Sequence, residues 1–319
     1  VSAPSVLRIG TRASALALWQ ARHVAQLIGA QRGAPDAPLR HISTAGDVQS
    51  EVPLWQADGR AFFTREIDRA LLEGTVDAAV HSLKDMPTQL DEGLTLAAVL
   101  ARADARDALV SRGGTPLAAL PRGARIGTSS LRRRAFLARL RPDAELLELR
   151  GNVPTRIERL QRGDYDAVVL AAAGLARLGL ERHVSEYLDP EDLPPAVSQG
   201  AIAVCARAGD AATLAWLAAL DDAPTRLAVS AERALLAHLQ GGCQVPLGAL
   251  ATLREGTLAL QASVCALDGS QRLSARAAVA TGRSGAAEAL GRRVAEQLLE
   301  RGAAALIAAV RATHAVEEP

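Results

Sequence analysis

"ARIGTSSLRRRAFLARL" runs from Ala124 to Leu140, and its reading decides the fold class. An apolar run ends at Gly127 and three hydroxyl residues, and a helical run begins at Leu131. That is a strand passing through a turn into a helix. Downstream, "AELLELRG" reads as a strand and "VPTRIERLQRG" as a helix with Pro154 in its first turn. "YDAVVLAAAG" is a strand that enters a further helix. Upstream the pattern is the same. "VLRIGTR" (Val6–Arg12) is a strand, and Ser14 suits the N-cap of a helix in which Leu16, Trp19, His23 and Leu27 recur at helical spacing. Leu39–Thr44 reads as a strand, Thr64–Leu72 as a helix and Val76–Ser82 as a strand. Strands alternating with helices predict an α/β fold in two blocks, Val6–Leu100 and Asp107–Tyr187, each a parallel sheet with helices on both faces.

Ala45–Ala61 has no regular period and is punctuated by Gly46, Pro53 and Gly59. A loop of that length in a compact domain is typically a lid or a disordered segment. "LPPAVSQGAIAVCAR" follows the second block and is expected to return the chain to the first. After Pro224 the texture changes. A helix, "RLAVSAERALLAHL", precedes "QGGCQVP". Three alternating runs follow, Gly248–Leu253, Leu258–Leu267 and Arg272–Ala280, joined by the hairpin-type turns "TLREGT" and "LDGS". A helix over Gly285–Leu299 is expected to close a smaller α+β domain.

The 319 residues suit two or three domains, and 49% hydrophobic content is enough to build real cores. A net charge of +1 gives no bulk attraction to nucleic acid or to a membrane surface. The longest apolar runs are broken by Gly and soon followed by Arg177, so no stretch reads as membrane-spanning. "VSAPSVLRIGTR" lacks the pattern of a signal peptide. Cys205, Cys243 and Cys265 form neither a disulfide framework nor a metal-binding spacing. A cytoplasmic protein without a metal is the expectation.

Arginines cluster where strands end. Arg12 follows the first strand, Arg132 and Arg133 lie past "GTSS", Arg150 ends "LRG", Arg156 lies in the next helix, and Arg177 closes "AAAGLAR". The crevice beyond the carboxyl ends of parallel strands is where α/β sheets bind ligands. "GTSSLRRR" adds hydroxyls and backbone N–H groups at a helix N-terminus. Any one of these arginines reads most simply as a solvated cation in an arginine-biased chain. As a set they predict a ligand with several carboxylates or phosphates. Arg134 and Arg139 are assigned to the surface.

"HSLKDMP" also ends a strand. Lys84 is the one lysine among 36 strong bases. Asp85 beside it reads either as part of a salt-bridged turn or as a carboxylate that faces a cation or moves protons. His81 reads either as a base or, as is more usual for a strand histidine, as a packed, hydrogen-bonded residue. Cys243, between two glycines and Pro246, is the reachable thiol, while Cys205 and Cys265 lie in apolar strand runs.

In chain order, "LRIGTRASALALWQ", "HSLKDMPT", "IGTSSLRRR", "LRGNVPTR", "LAAAGLARLGL", "LPPAVSQGA" and "GGCQVP" resemble the porphobilinogen deaminases, also called hydroxymethylbilane synthases. The resemblance implies two periplasmic-binding-protein-like lobes with mixed or parallel sheets, plus a smaller C-terminal α+β domain. Its domains would be residues 1–100 with 201–220, then 101–200, then 221–319. It implies a dipyrromethane cofactor joined to Cys243 by a thioether. It also implies a heme-pathway transferase that adds four porphobilinogen units head to tail, loses ammonia at each step, and releases 1-hydroxymethylbilane. Asp85 matches the catalytic carboxylate. Ser82, Lys84, Thr128, Ser129, Ser130, Arg132, Arg133 and Arg150 match cofactor-binding positions. Arg12, Ser14, Phe63, Arg150, Arg156, Arg177 and Gln199 match substrate-binding positions. A monomer acting on porphobilinogen, with no nucleic acid or membrane partner, is expected.

Three departures stand out. Gly59-Arg60-Ala61 replaces a frequent Gly-Lys-Gly, and Ala61 has less backbone freedom than Gly. Ser198 stands for a common Gly and Gln240 for a common Glu. Two rival readings are a two-lobed binding protein for a small polycarboxylate and the effector domain of a transcription regulator. Missing leader and helix-turn-helix patterns count against both.

Overall fold

The computed structural model describes residues 5–48, 64–240 and 245–315. β1 (Ile9–Thr11), α1 (Ala15–Gly29), β2 (Leu39–His41), α2 (Ala45–Val48), α3 (Arg65–Leu72), β3 (Ala78–Ser82) and β4 (Leu94–Val99) come first. β5 (Asp107–Ser111), β6 (Arg125–Gly127), α4 (Leu131–Leu140), β7 (Glu145–Leu147), α5 (Val153–Arg162), β8 (Ala167–Ala171), α6 (Ala172–Arg177) and β9 (Glu186–Tyr187) follow. Then come β10 (Ile202–Arg207), α7 (Ala211–Ala218) and α8 (Ala223–His238). The described chain ends with β11 (Leu247–Arg254), β12 (Thr257–Cys265), β13 (Arg272–Ala280), α9 (Ala286–Glu300) and α10 (Ala303–Ala315).

These elements form two compact units. The first holds the described residues up to Ala103 together with Gly200–Arg226, and the second holds Asp104–Gln199 and those from Leu227 onward. The first unit's sheet has the order β2-β1-β3-β10-β4, and one sheet of the second has the order β7-β6-β8-β5-β9. The two patterns match. β1 pairs parallel with β2 and β3, as β6 does with β7 and β8. The fourth strand, β10 or β5, is antiparallel to both its neighbours. The parallel sheets read from the strand–helix alternation are therefore mixed, and the two units repeat one strand order.

Equivalent polar clasps fix both sheets at the edge where β1 and β6 begin. Arg8 N–H and guanidinium donate to Asp77 at 2.8 Å, and its Nη2 donates to the Gly74 carbonyl. Arg125 makes the same bonds to Asp166 and to the Gly163 carbonyl. In the first unit α1 and α7 cover one face through Ala21, Val24, Ile28 and Leu217 against Ile9, Val80 and Val204. On the other face Gly10 leaves room for α3, because a Cβ there would come within 3.2 Å of Ile67. Gly127 does the same for Tyr165, at 2.9 Å.

Local signals explain the element ends. Ser14 accepts from Ala17 N–H and Ser130 from Arg133 N–H, capping α1 and α4. Asn152 caps α5, Pro154 lies in its first turn, and Gly163 ends it in the left-handed conformation. The three-stranded sheet β11-β12-β13 is an antiparallel meander packed against α8, α9 and α10 through Leu235, Leu260, Val294 and Ile307. The Arg254–Thr257 hairpin places Glu255 and Gly256 at φ 47° and 72°, as its tight turn requires. The expectation that the helix near Leu299 closes the chain is corrected. Gly302 turns the chain into α10, which buries Ala303 and Ile307.

Buried Glu232 on α8 accepts Ser198 N–H at 2.6 Å and Ala251 N–H at 2.8 Å, tying β11 to the segment before β10. Ser198 itself sits at φ 63°, fully buried, with its hydroxyl lacking a hydrogen-bond partner. A left-handed backbone costs a non-glycine residue roughly 1–2 kcal/mol, a strain that a glycine here would not carry. Ser198→Gly is expected to stabilise the protein by about 1 kcal/mol, since it relieves that strain and removes a buried unsatisfied hydroxyl. A thermal melt that shows no rise in Tm contradicts this.

Candidate active site

Both lobes gather polar side chains at the carboxyl edge of their parallel strands. In the first unit Arg12 follows β1, and Ser82 ends β3. Beyond Ser82 a single 3-10 turn, Leu83–Asp85, carries Lys84 and Asp85, both half-buried, between buried Leu83 and buried Met86. Met86 N–H donates to Leu83 O, closing the turn. The turn follows from the sequence: Leu83 and Met86 anchor it, and Pro87 cannot extend it. Ser82 Oγ accepts from Gln20 Nε2 at 2.9 Å, so its own proton is left to donate.

His81 is buried, as its strand position suggested. Burial pushes its pKa down to about 4, with Arg12 adding to the shift, so the ring is neutral and cannot serve as a cation at pH 7.

In the second unit Thr128, Ser129 and Ser130 follow β6 and open α4. Ser129 Oγ donates to Leu149 O, and Thr128 Oγ1 accepts Ser130 N–H at 3.2 Å. Arg150 follows β7, and Arg156 lies on α5 with its Nε donating to Gly151 O at 2.7 Å. Arg177 ends α6, and burial pushes it down to about 10. A buried guanidinium of this kind is offset by an anion.

Arg132 and Arg133 differ from the expectation of cations presented to a ligand. Both are buried and converge on Asp107, the fully buried first residue of β5. Arg133 Nη2 and Nε donate to Asp107 Oδ1 at 2.7 and 3.1 Å, and its Nη1 donates to Val169 O. Arg132 Nη1 lies 2.7 Å from Asp107 Oδ2 and donates to Pro194 O. Gln199 Nε2 donates to Asp107 Oδ1 at 3.0 Å and to Ala105 O. Burial alone would raise the Asp107 carboxyl, but the two guanidiniums outweigh it and hold it well below the usual range. Arg133 and Gln199 thus support the fold beneath the edge. Arg132 keeps a buried Nε without a hydrogen-bond partner. Asp107 was missed from sequence; a lone carboxylate opening the apolar run "DALVS" was the available signal.

Ser14 serves as the α1 cap. Phe63, Cys243 and Gly59-Arg60-Ala61 lie outside the described residues. Cys205 and Cys265 are buried within β10 and β12. The donors present suit a group with several carboxylates: guanidiniums at strand ends, hydroxyls at a helix start, and the buried Arg132 Nε.

Residues 7–215 match the family model described as "Porphobilinogen deaminase, dipyromethane cofactor binding domain", and residues 226–300 match its C-terminal domain. The chain belongs to the porphobilinogen deaminase family. A porphobilinogen deaminase of Roseiflexus castenholzii is 49% identical over 302 residues, covering 95% of this chain and 98% of that one. One of Syntrophotalea carbinolica is 47% identical over 309 residues, covering 97% of each chain. One of Moorella thermoacetica is 47% identical over 306 residues, covering 96% and 97%. Among solved structures, the periplasmic VFT2 domain of Bordetella pertussis BvgS is 17% identical, covers 67% of this chain and 86% of its own, and has a TM-score of 0.41. No helix among the described residues is long and apolar enough to cross a membrane.

Proposed function

We propose that the chain joins four porphobilinogen molecules head to tail, with loss of ammonia, to give 1-hydroxymethylbilane. The match to both deaminase domains along almost the whole chain carries this reading. The dipyrromethane, when bound, supplies the pyrrole to which the first substrate unit is joined. Cys243 would hold it, with Ser82, Lys84, Thr128, Ser129, Ser130, Arg132 and Arg150 around its carboxylates and Arg133 behind Arg132. Arg12, Arg156 and Arg177, with Ser14 and Phe63, would place the acetate and propionate of the incoming pyrrole, and Gln199 would support that edge through Asp107. Asp85 would face the positive charge that develops on the pyrrole when the new C–C bond forms, and accept the displaced proton. A three-domain division with the third domain from about residue 221, a monomeric state and a cytoplasmic location complete the proposal.

Intact-mass measurement tests it. Purified protein is expected to be heavier than its sequence by one dipyrromethane, mapping to Cys243 and absent from Cys243→Ser. Burial of Cys205 and Cys265 supports that choice. An adduct on either of those, or active enzyme without one, overturns the assignment.

Lys84 gives a second test. A compact ammonium can hold a cofactor carboxylate and leave adjacent Asp85 facing the pyrroles, whereas a guanidinium can clamp Asp85 bidentately. Lys84→Arg is expected to fold but to load cofactor poorly or turn over slowly. Wild-type loading and rate would remove any special role for the lysine.

A further inference from the structure

β3 is gripped near its catalytic end by polar groups from two helices. On the α1 side Gln20 Nε2 donates directly to Ser82 Oγ at 2.9 Å. On the α3 side His81 meets Asp68, but His81 Nε2 and Asp68 Oδ1 are 3.9 Å apart, beyond hydrogen-bond length. His81 is 6% exposed and Asp68 4%. Neither atom has a hydrogen-bond partner, and neither has buried Thr64 Oγ1. Thr64 lies close enough to favour the ionised form of Asp68, though its hydroxyl is not in hydrogen-bond geometry.

A buried polar atom left unsatisfied costs about 1–3 kcal/mol, so this grouping calls for another molecule. The gap fits one water, set to the side and about 2.8 Å from each atom. An ionised carboxylate only accepts hydrogen bonds, while a neutral imidazole donates one and accepts one, so a water completes the chain in either tautomer. A metal ion is a poor fit. No group of three or more His, Cys, Asp or Glu among the described residues could hold one. Glu66, the other carboxylate on α3, accepts Ala45 N–H at Oε1, and its buried Oε2 also lacks a hydrogen-bond partner.

We propose that one water occupies this gap, and that the water-linked His81–Asp68 pair is a positioning device that holds the end of β3, and through it Asp85. Its catalytic consequence rests on the deaminase reading; the water site does not. Charges around the pair agree with the assignment. Burial raises Asp68 to about 6, with Asp91 and Glu66 adding to the shift, while burial and then Arg12 push His81 down to about 4. Near neutral pH the carboxylate is ionised and the ring neutral. As pH falls through 6 the carboxylate gains a proton, and the hydrogen bonds to the water rearrange. Asp85 lies four residues beyond His81, and displacement of a reacting group by about 1 Å costs on the order of 10²-fold in rate.

The test has a structural arm and a kinetic arm. A high-resolution crystal structure is expected to show a water within hydrogen-bond distance of both His81 Nε2 and Asp68 Oδ1; direct contact of the two, or an empty gap, overturns the site. His81→Phe keeps ring volume and removes the polar atoms. It is expected to lower kcat about tenfold or more, with KM within about twofold and an unchanged covalent mass. Asp68→Asn keeps the shape but cannot titrate. Wild-type kcat should fall as pH drops through 6, and that fall should be absent from Asp68→Asn. Superimposable pH profiles, an unchanged kcat in folded His81→Phe, or an effect confined to KM each overturn the positioning role. If His81→Phe does not fold, the Asp68→Asn profile decides. If wild type does not consume porphobilinogen, the deaminase reading fails, and the crystal structure still decides the water site.

Discussion

Asp85→Asn is expected to fold, carry its covalent group, and turn over roughly 10²–10³-fold more slowly, equivalent to about 2.7–4 kcal/mol of lost transition-state stabilisation. Asp85 is half-buried in a turn whose closure is a backbone bond, Met86 N–H to Leu83 O, so the carboxylate is not needed to build it. The amide keeps volume and one acceptor oxygen but loses the negative charge. It therefore removes an interaction made mainly when positive charge develops on the pyrrole, and the loss should appear in kcat more than in KM. Steady-state rates beside an intact mass check both points. A correctly loaded variant with near-normal kcat would falsify the role.

Asp107→Ala is expected to lower stability by about 3–5 kcal/mol, because it leaves two buried guanidiniums without their counter-charge. Arg132 and Arg133 both lie within 2.7 Å of that carboxylate, and Gln199 donates to it as well. A Tm lower on the order of 10 °C, or loss of soluble protein, is the expected reading. Linkage adds a pH signature. The folded carboxyl is depressed, so its contribution is fully present above the unfolded value of about 4 and is lost as pH falls below it. Wild-type stability should thus fall more steeply than that of the variant below about pH 4. Between pH 5 and 8 this group adds no slope. Equal melting temperatures for the two proteins would show that the cluster does not hold the lobe together.

Elements set by neighbouring residues were legible in the sequence. Leu131–Leu140 is a helix over the span its pattern gave, because Ser130 caps it and its residues are good helix formers without an internal Gly or Pro. β13 likewise occupies the alternating run Arg272–Ala280. Strands of the two lobes came out shorter than their apolar runs. Val76–Ser82 reads as one strand, but pairing starts at Ala78, because the Asp77 carboxylate is bonded to Arg8 N–H at the strand's foot. Long-range pairing was not legible. β4, β5 and β9 find their places only through partners such as β10 and β8, and no local pattern encodes a mixed sheet. The site divides in the same way. Strand ends and motifs named the residues around Asp85 and Thr128. That Arg133 is bound to the fold depends on Asp107, which lies 26 residues away.

The shared strand order of the two lobes has a consequence for biosynthesis. β10 lies between β3 and β4, and it pairs Ile202 with Ser82, which left the ribosome far earlier. Until that strand emerges, the sheet that carries Asp85 has a gap at its fourth position. The other lobe's sheet needs only β5 to β9, all made before Ile202. The later lobe's sheet can therefore be complete first during translation, the reverse of the usual N-terminal-first order. A nascent chain stalled with Tyr187 outside the ribosome and Ile202 still inside it should protect the second sheet from protease while leaving the first open to it.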